Sequence, residues 1–295
     1  MRFPGIIPAV TTPFGAMGGV DHDALERNVG ALLEAGVHGF VATGTMGEAG
    51  SLSPAERRAV VVTVVRAAGG RVPVIAGVSS GTPAASIAFA ADAAEAGAEA
   101  IMLLPPLGYR GDEREIVAFF RTVGEAAGLP VMAYNNPEAS GTDIRAALIA
   151  RIALEVEQVV AVKECSGDAR RISALLDAAP RLEVLVGGDD WALEGFCAGA
   201  TGWVSGVADC APAECVELHE ACRAADLERA RAIYTRLLPL ARLDMTPKLV
   251  QYFKGAQDAL GFVGGPVRPP RLPLEDADAA RLDAALAALR APAVV

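Results

Sequence analysis

Val159-Val160-Ala161-Val162 is a short apolar run that ends in Lys163-Glu164-Cys165-Ser166-Gly167. A strand that is apolar at successive rather than alternate positions is covered on both faces, as parallel strands are when helices pack over them. Working outward, similar runs occur at 130–135 and 183–187, then at 100–104 and 202–206, and finally at 72–77, 38–43 and 6–10. Stretches rich in Ala, Arg and Glu separate them and read as helices. Eight strands alternating with helices predict an α/β fold, a (β/α)8 TIM barrel.

A weak internal echo supports the repeat. Glu34-Ala35-Gly36-Val37, Glu95-Ala96-Gly97-Ala98 and Cys197-Ala198-Gly199-Ala200 each close a helix just before a strand, with glycine supplying a left-handed cap. Ser53-Pro54-Ala55-Glu56 offers a capping box with proline at the first helical position. After residue 212 the strands stop, and helical patterns follow at 213–224, 226–243, 246–261 and 276–291. The first completes a barrel spanning 1–224, and the rest form a helical extension over 225–295, interrupted by Gly264-Gly265-Pro266-Val267-Arg268-Pro269-Pro270. No low-complexity linker separates the two parts.

The chain has 295 residues, enough for one barrel with an extension. Apolar residues make up 52%, yet no run reaches the roughly 18 uninterrupted apolar residues that span a bilayer. The start, Met1-Arg2-Phe3-Pro4-Gly5, lacks a leader pattern, so a soluble, cytoplasmic protein is expected. Five cysteines without a Cys-x-x-Cys pair signal neither a disulfide framework nor a zinc site. A formal charge of −10 argues against a nucleic-acid partner. It leaves room for a small anionic substrate held by backbone N–H groups.

Of 26 basic residues only Lys163, Lys248 and Lys254 are lysines. A lysine desolvated at a barrel mouth has its pKa lowered and becomes a nucleophilic amine; pairing with Glu164 is the plainer alternative. Thr43-Gly44-Thr45-Met46-Gly47-Glu48 follows the second strand and offers an anion nest, with the Thr45 hydroxyl free to pass protons, or else an ordinary strand-to-helix turn. Tyr134-Asn135-Asn136-Pro137 ends the fifth strand and places a general acid/base at the mouth, or simply a strand aromatic before a turn. Gly187-Gly188-Asp189-Asp190 ends the seventh strand. No histidine stands near these aspartates, so no metal site is expected, and the scatter of His22, His38 and His219 offers no hydrolase triad.

Together these elements resemble the dihydrodipicolinate synthase / N-acetylneuraminate lyase superfamily of class I aldolase-type enzymes, through essentially the whole chain. Pro8-Ala9-Val10-Thr11-Thr12-Pro13-Phe14 is similar to the family's first-strand motif, and Gly44-Thr45-Met46-Gly47-Glu48 to its Gly-Thr-Thr-Gly-Glu loop. Tyr134-Asn135-Asn136-Pro137 and Val162-Lys163-Glu164-Cys165-Ser166-Gly167 match its tyrosine and lysine motifs. The resemblance implies that Lys163 forms a Schiff base with a 2-oxo acid, that Tyr134 shuttles protons with Thr45, and that the Thr45-Met46 loop binds the carboxylate. Gly44, Gly187 and Ser205 are further expected substrate contacts. No cofactor beyond the covalent lysine is implied, and a homo-oligomer, dimer or tetramer, is expected by analogy.

Two departures narrow the reaction. Dihydrodipicolinate synthases place an arginine two residues after the motif proline, where this chain has Ala139, and a tyrosine pair after the fourth-strand proline, where it reads Pro105-Pro106-Leu107-Gly108-Tyr109. Whether Tyr109 takes over the missing tyrosine's part is left open. Met46 replaces the loop's second threonine but keeps its N–H. Leu103-Leu104-Pro105-Pro106 and the segment 134–143 are more similar to superfamily members that act as 1-pyrroline-4-hydroxy-2-carboxylate deaminases. A pyruvate-dependent aldolase or keto-deoxy-sugar-acid dehydratase is the alternative, and a non-catalytic 2-oxo acid binding protein is the alternative of another class.

Overall fold

The computed structural model describes residues 2–291. Its strands are β1 (Gly5–Pro8), β2 (Phe40–Ala42), β3 (Val74–Gly77), β4 (Ala100–Leu103), β5 (Val131–Asn135), β6 (Val159–Glu164), β7 (Glu183–Val186) and β8 (Gly202–Ser205). All pair in parallel in the order β1-β8-β7-β6-β5-β4-β3-β2. A parallel bridge from Ala9 to Val41 closes the ring, with the Val10 N–H donating to the Val41 carbonyl at 3.0 Å. The chain thus forms a (β/α)8 barrel. Seven strands lie inside the expected runs, and β1 begins at Gly5. β2 is shorter than expected because Thr43 enters the left-handed region, φ 54°, which ends the extended backbone.

Between and after the strands run α1 (His22–Glu34), α2 (Pro54–Ala68), α3 (Pro83–Glu95), α4 (Glu113–Ala127), the single turn α5 (Pro137–Ser140), α6 (Ala146–Glu155), α7 (Arg170–Ala178), α8 (Ala192–Cys197) and α9 (Pro212–Arg223). α10 (Leu227–Ala241), α11 (Leu249–Leu260) and α12 (Asp276–Arg290) follow. The capping box opens α2 as the sequence indicates. Gly36, Gly97 and Gly199 take φ of 87°, 91° and 103°, the conformation their place after a helix requires. No described helix is long and apolar enough to cross a membrane.

What positions the site is the pairing of β5 with β6, where Tyr134 lies opposite Lys163 and Asn135 opposite Glu164. Side chains alternate across a strand, so Tyr134 and Lys163 share one face and Asn135 and Glu164 the other. The C-terminal helices then cover the same end of the barrel. Val250, Tyr252, Phe253 and Ala256 of α11 are buried, each large side chain contributing about 1.5–3 kcal/mol. Gly206, just after β8, allows this approach, since a Cβ there would meet the Phe253 ring at 3.0 Å. Polar bonds fix the register: Thr11 Oγ1 donates to Gln257 Oε1 at 2.7 Å, and Lys254 Nζ pairs with Glu48 Oε1 at 2.7 Å.

Candidate active site

At the C-terminal ends of the strands lies a cavity of about 310 Å³, lined among others by Thr45, Met46, Tyr134, Lys163, Gly187 and Asp244. Lys163 is 6% exposed, and its ammonium nitrogen stands 4.4 Å from the centre of the Tyr134 ring. Glu164 is not its partner. That carboxylate points to the opposite face, where it accepts from the Ser166 N–H at 2.6 Å and from Asn135 Nδ2 at 3.1 Å. Gly187 makes room for the lysine, because a Cβ there would meet Lys163 Cγ at 2.7 Å and press on the Cys165 sulfur.

Opposing effects act on the Lys163 amine. Burial lowers the Lys163 pKa, and negative charge on Tyr134, Cys165, Asp244 or Asp189 would raise it. Burial also pushes the Tyr134 phenol up, and the Cys165 thiol up to about 12, so both are neutral near pH 7. That leaves Asp244 as the carboxylate whose charge opposes burial at Lys163, since burial also pushes the Asp189 carboxyl well up. A short apolar run ending in lysine cannot disclose this, since the acids are distant in sequence.

Asn136 Nδ2 donates to the Tyr134 hydroxyl at 2.8 Å, which leaves the phenolic proton free to point into the cavity. The loop after β2 is pinned at both ends by left-handed residues, Thr43 at φ 54° and Glu48 at φ 52°. Thr43 Oγ1 donates to the Ala42 carbonyl at 2.7 Å, and the Ala49 N–H to the Gly44 carbonyl at 3.3 Å. Among the described residues the N–H groups of Thr45 and Met46 have no acceptor. Adjacent free N–H groups facing a cavity can hold a carboxylate. Gly44 also lines this space.

Ser205 does not. It is fully buried, and its hydroxyl accepts from the Ala208 N–H at 2.9 Å, bracing the turn after β8 instead of facing the cavity. Tyr109 is 54% exposed, with its hydroxyl on Glu115, and lies outside the cavity, whereas Ala139 lies on its wall. Asp189 is buried as a structural acceptor, taking Trp203 Nε1 at 2.9 Å and the Val207 N–H at 2.7 Å. No cluster of three or more metal-ligating side chains occurs among the described residues. His38 and His219, distant in sequence, meet with ring centres 5.5 Å apart, but away from the cavity.

The residue that sequence reasoning missed is Asp244. It occupies the turn between α10 and α11, legible only as the gap at 244–245 between two helical patterns, and nothing in that gap points to the barrel mouth. With Glu138 it gives the cavity lining two acids, and no described arginine lines this cavity. An adjoining cavity of about 190 Å³, which shares Thr45 and Tyr134, is lined by Arg57 and Arg271. Arg57 already donates to the Gly77 carbonyl at 2.8 Å, and Arg271 stands 3.6 Å from Glu48. The main cavity therefore combines a buried primary amine, a phenol and an anion nest, the equipment for addition of the amine to the carbonyl of a 2-oxo acid.

Comparison with known proteins agrees with this equipment. The model of the dihydrodipicolinate synthetase family matches residues 2–289. The chain is 38% identical over 285 residues to the 4-hydroxy-tetrahydrodipicolinate synthase of Methanothrix thermoacetophila, covering 95% of each. It is 37% identical to an uncharacterized DapA-like lyase of Halobacterium salinarum, covering 97% of this chain and 93% of that one. The pyruvate complex of the dihydrodipicolinate synthase from Acinetobacter baumannii superposes with a TM-score of 0.92 at 31% identity, covering 98% of this chain and 99% of that one. The chain belongs to the dihydrodipicolinate synthetase family, and so to the Schiff-base lyases of the class I aldolase type.

Proposed function

We propose that this enzyme forms a Schiff base between Lys163 and a small 2-oxo acid or cyclic imine acid, and that 1-pyrroline-4-hydroxy-2-carboxylate is the substrate its cavity suits best. The observation that carries the substrate choice is the charge pattern of the cavity lining: an anion nest at Thr45 and Met46, together with Ala139, Glu138 and Asp244. One carboxylate is welcome there. A second would face two acids and no arginine, at a cost of several kcal/mol for like charges brought together in a desolvated site. A tail bearing a hydroxyl or a cationic nitrogen is favoured instead. The volume of about 310 Å³ equals roughly ten waters at about 30 Å³ each, the scale of a small acid.

In this reading Lys163 attacks C2, and the ring nitrogen departs from that carbon as the ring opens. The Schiff base then withdraws electrons while a proton leaves C3 and the 4-hydroxyl leaves as water. Tyr134 and Thr45 carry protons between these positions, and hydrolysis returns the lysine and releases ammonia. The balance is one water consumed and one ammonia formed. No other cofactor takes part. A homo-oligomer, dimer or tetramer, belongs to the same reading, and a monomeric mass in solution would remove that part of it.

The reaction for which the Methanothrix relative is named is the second reading, favoured by the identity over nearly the whole chain. Reduction by borohydride in the presence of pyruvate and, separately, of 1-pyrroline-4-hydroxy-2-carboxylate, with peptide mapping, tests the chemistry. An adduct on Lys163 with both, and ammonia released from the second, is expected. Turnover of that imine acid without ammonia would remove the deaminase. Lys163→Arg should fold and form no adduct, because its guanidinium stays protonated. Saturable binding of a 2-oxo acid that survives Lys163→Ala, without an adduct in the parent, would instead indicate a binding protein.

A further inference from the structure

We propose that Asn136 is the positioning residue of the site's tyrosine: its side-chain N–H aims the Tyr134 phenolic proton into the cavity and then holds the phenolate that forms when that proton leaves. The proposal rests on the Schiff-base reading and on Tyr134 as its proton carrier. It gives a task to a side chain that the sequence marks only as the first member of an Asn-Pro turn.

Two hydrogen bonds fix which way the amide faces. Asn136 is the N-cap of α5, with extended backbone at φ −138° and ψ 95°, and Pro137 occupies the first helical position. Its Oδ1 accepts from the Ala139 N–H at 3.0 Å, and because an N–H needs an acceptor the oxygen belongs on that side. Nδ2 is thereby turned to the Tyr134 hydroxyl at 2.8 Å. The Asn136 carbonyl is held as well, by the Ser140 N–H at 3.0 Å and by Ser140 Oγ at 2.8 Å. Among the described residues no other nitrogen donates to the Tyr134 oxygen.

The bond can run only one way. An amide NH2 donates and cannot accept, so the phenol takes this bond on a lone pair and its own proton lies elsewhere. Asn136, Tyr134 and Lys163 all line the main cavity, and the Lys163 nitrogen stands 4.4 Å from the centre of the tyrosine ring. Burial pushes the Tyr134 phenol up and makes it a reluctant acid, whereas the Asn136 bond acts in the opposite direction.

The step balances. The phenolic proton passes to the carbinolamine hydroxyl, the C2–O bond breaks, water leaves, and the nitrogen lone pair forms the iminium. Tyr134 is left as a phenolate beside that cation, with no net change in protons. When water later attacks the iminium, the phenolate takes a proton from it and the phenol is restored. A hydrogen bond to the forming phenolate is stronger than one to the phenol, so Asn136 stabilises the transition state more than the bound substrate. Its loss should therefore lower the maximal rate and leave affinity in place.

The test measures the rate of pyruvate adduct formation on Lys163, quenched with borohydride and read by intact mass, at increasing pyruvate. Asn136→Ser retains a hydroxyl to cap the Ala139 N–H but is too short to reach the tyrosine; it should lower the maximal rate about 10²-fold with little change in the half-saturating concentration. Asn136→Asp also retains the cap and reverses the bond, since a carboxylate only accepts, and should be slower still. Both should melt as the wild type does. In a Tyr134→Phe background, itself slow, neither substitution should slow the reaction further, because the partner hydroxyl is gone. Should Asn136→Ser fail to fold, Asn136→Asp carries the same comparison. A variant at the wild-type maximal rate, an equal slowing in both backgrounds, or a change confined to the half-saturating concentration overturns the proposal alone. Tyr134→Phe at the wild-type rate removes the tyrosine's part and this proposal together. No adduct on wild-type Lys163 overturns the Schiff-base reading itself.

Discussion

Replacing Lys254 by methionine tests how the C-terminal extension supports the site. Lys254 and Glu48 are 2% and 0% exposed at the side chain, with nitrogen and oxygen 2.7 Å apart. Burial lowers the Lys254 pKa more strongly than Glu48 raises it, so the attraction does not fully offset desolvation of the ammonium. Removing one member of such a pair strands the other charge, at about 3–5 kcal/mol. Glu48 keeps the Arg268 N–H at 3.0 Å and Arg271 at 3.6 Å, which places Lys254→Met at the lower end, about 3 kcal/mol. At about 2 °C per kcal/mol for a chain of this size, the melting temperature should fall by about 6 °C. The Glu48 N–H donates to the Thr45 carbonyl at 3.1 Å, so the KM for a 2-oxo acid should rise as well. Thermal unfolding followed by circular dichroism, with the Glu48→Met/Lys254→Met double variant alongside, checks both; the double variant should recover most of the loss. A single variant melting within about 1 °C of wild type would refute the claim that Glu48 is left as a stranded buried charge.

Tyr134→Phe should lower kcat by about 10²–10⁴-fold with little change in melting, since it removes a phenolic proton and keeps the ring against Lys163; unchanged kcat would take the tyrosine out of the proton path. Gly187→Ala should slow adduct formation on Lys163 at least about tenfold, because the new methyl displaces the lysine stem by its 2.7 Å approach to Cγ. Burial lowers the pKa of both His38 and His219, the latter to about 4. The unfolded chain takes up protons at these rings from about pH 6.5 downward and the folded chain does so later, so stability is lost as pH falls across that interval. Urea midpoints above and below it should show a smaller drop in His219→Gln than in wild type.

The strands were legible because each is a local apolar run, and the Tyr134 and Lys163 motifs because they sit at strand ends where a barrel builds its site. The orientation of Ser205 was hidden, since the turn just beyond it claims the hydroxyl for the Ala208 N–H. The place of Lys163 at the end of β6 was legible, whereas the acids around it were not, because Asp189 and Asp244 both lie outside its local sequence. Asp244 itself lies where two helical patterns part, and only the packing of α11 over the barrel mouth brings it to the cavity. Local pattern specified the elements; the contacts between distant elements specified the electrostatics.

The scarcity of lysine has a practical side. Lys163 is 6% exposed and the Lys254 side chain 2%, so Lys248, at 40%, is the one lysine that solvent reaches freely, and it is engaged with Asp278. A carbonyl compound with borohydride alkylates any open lysine amine, and on most proteins a crowd of surface lysines obscures a single covalent event. On this chain the lysine background narrows to one position, so a lysine adduct left by a trapping reagent is assigned with little interference.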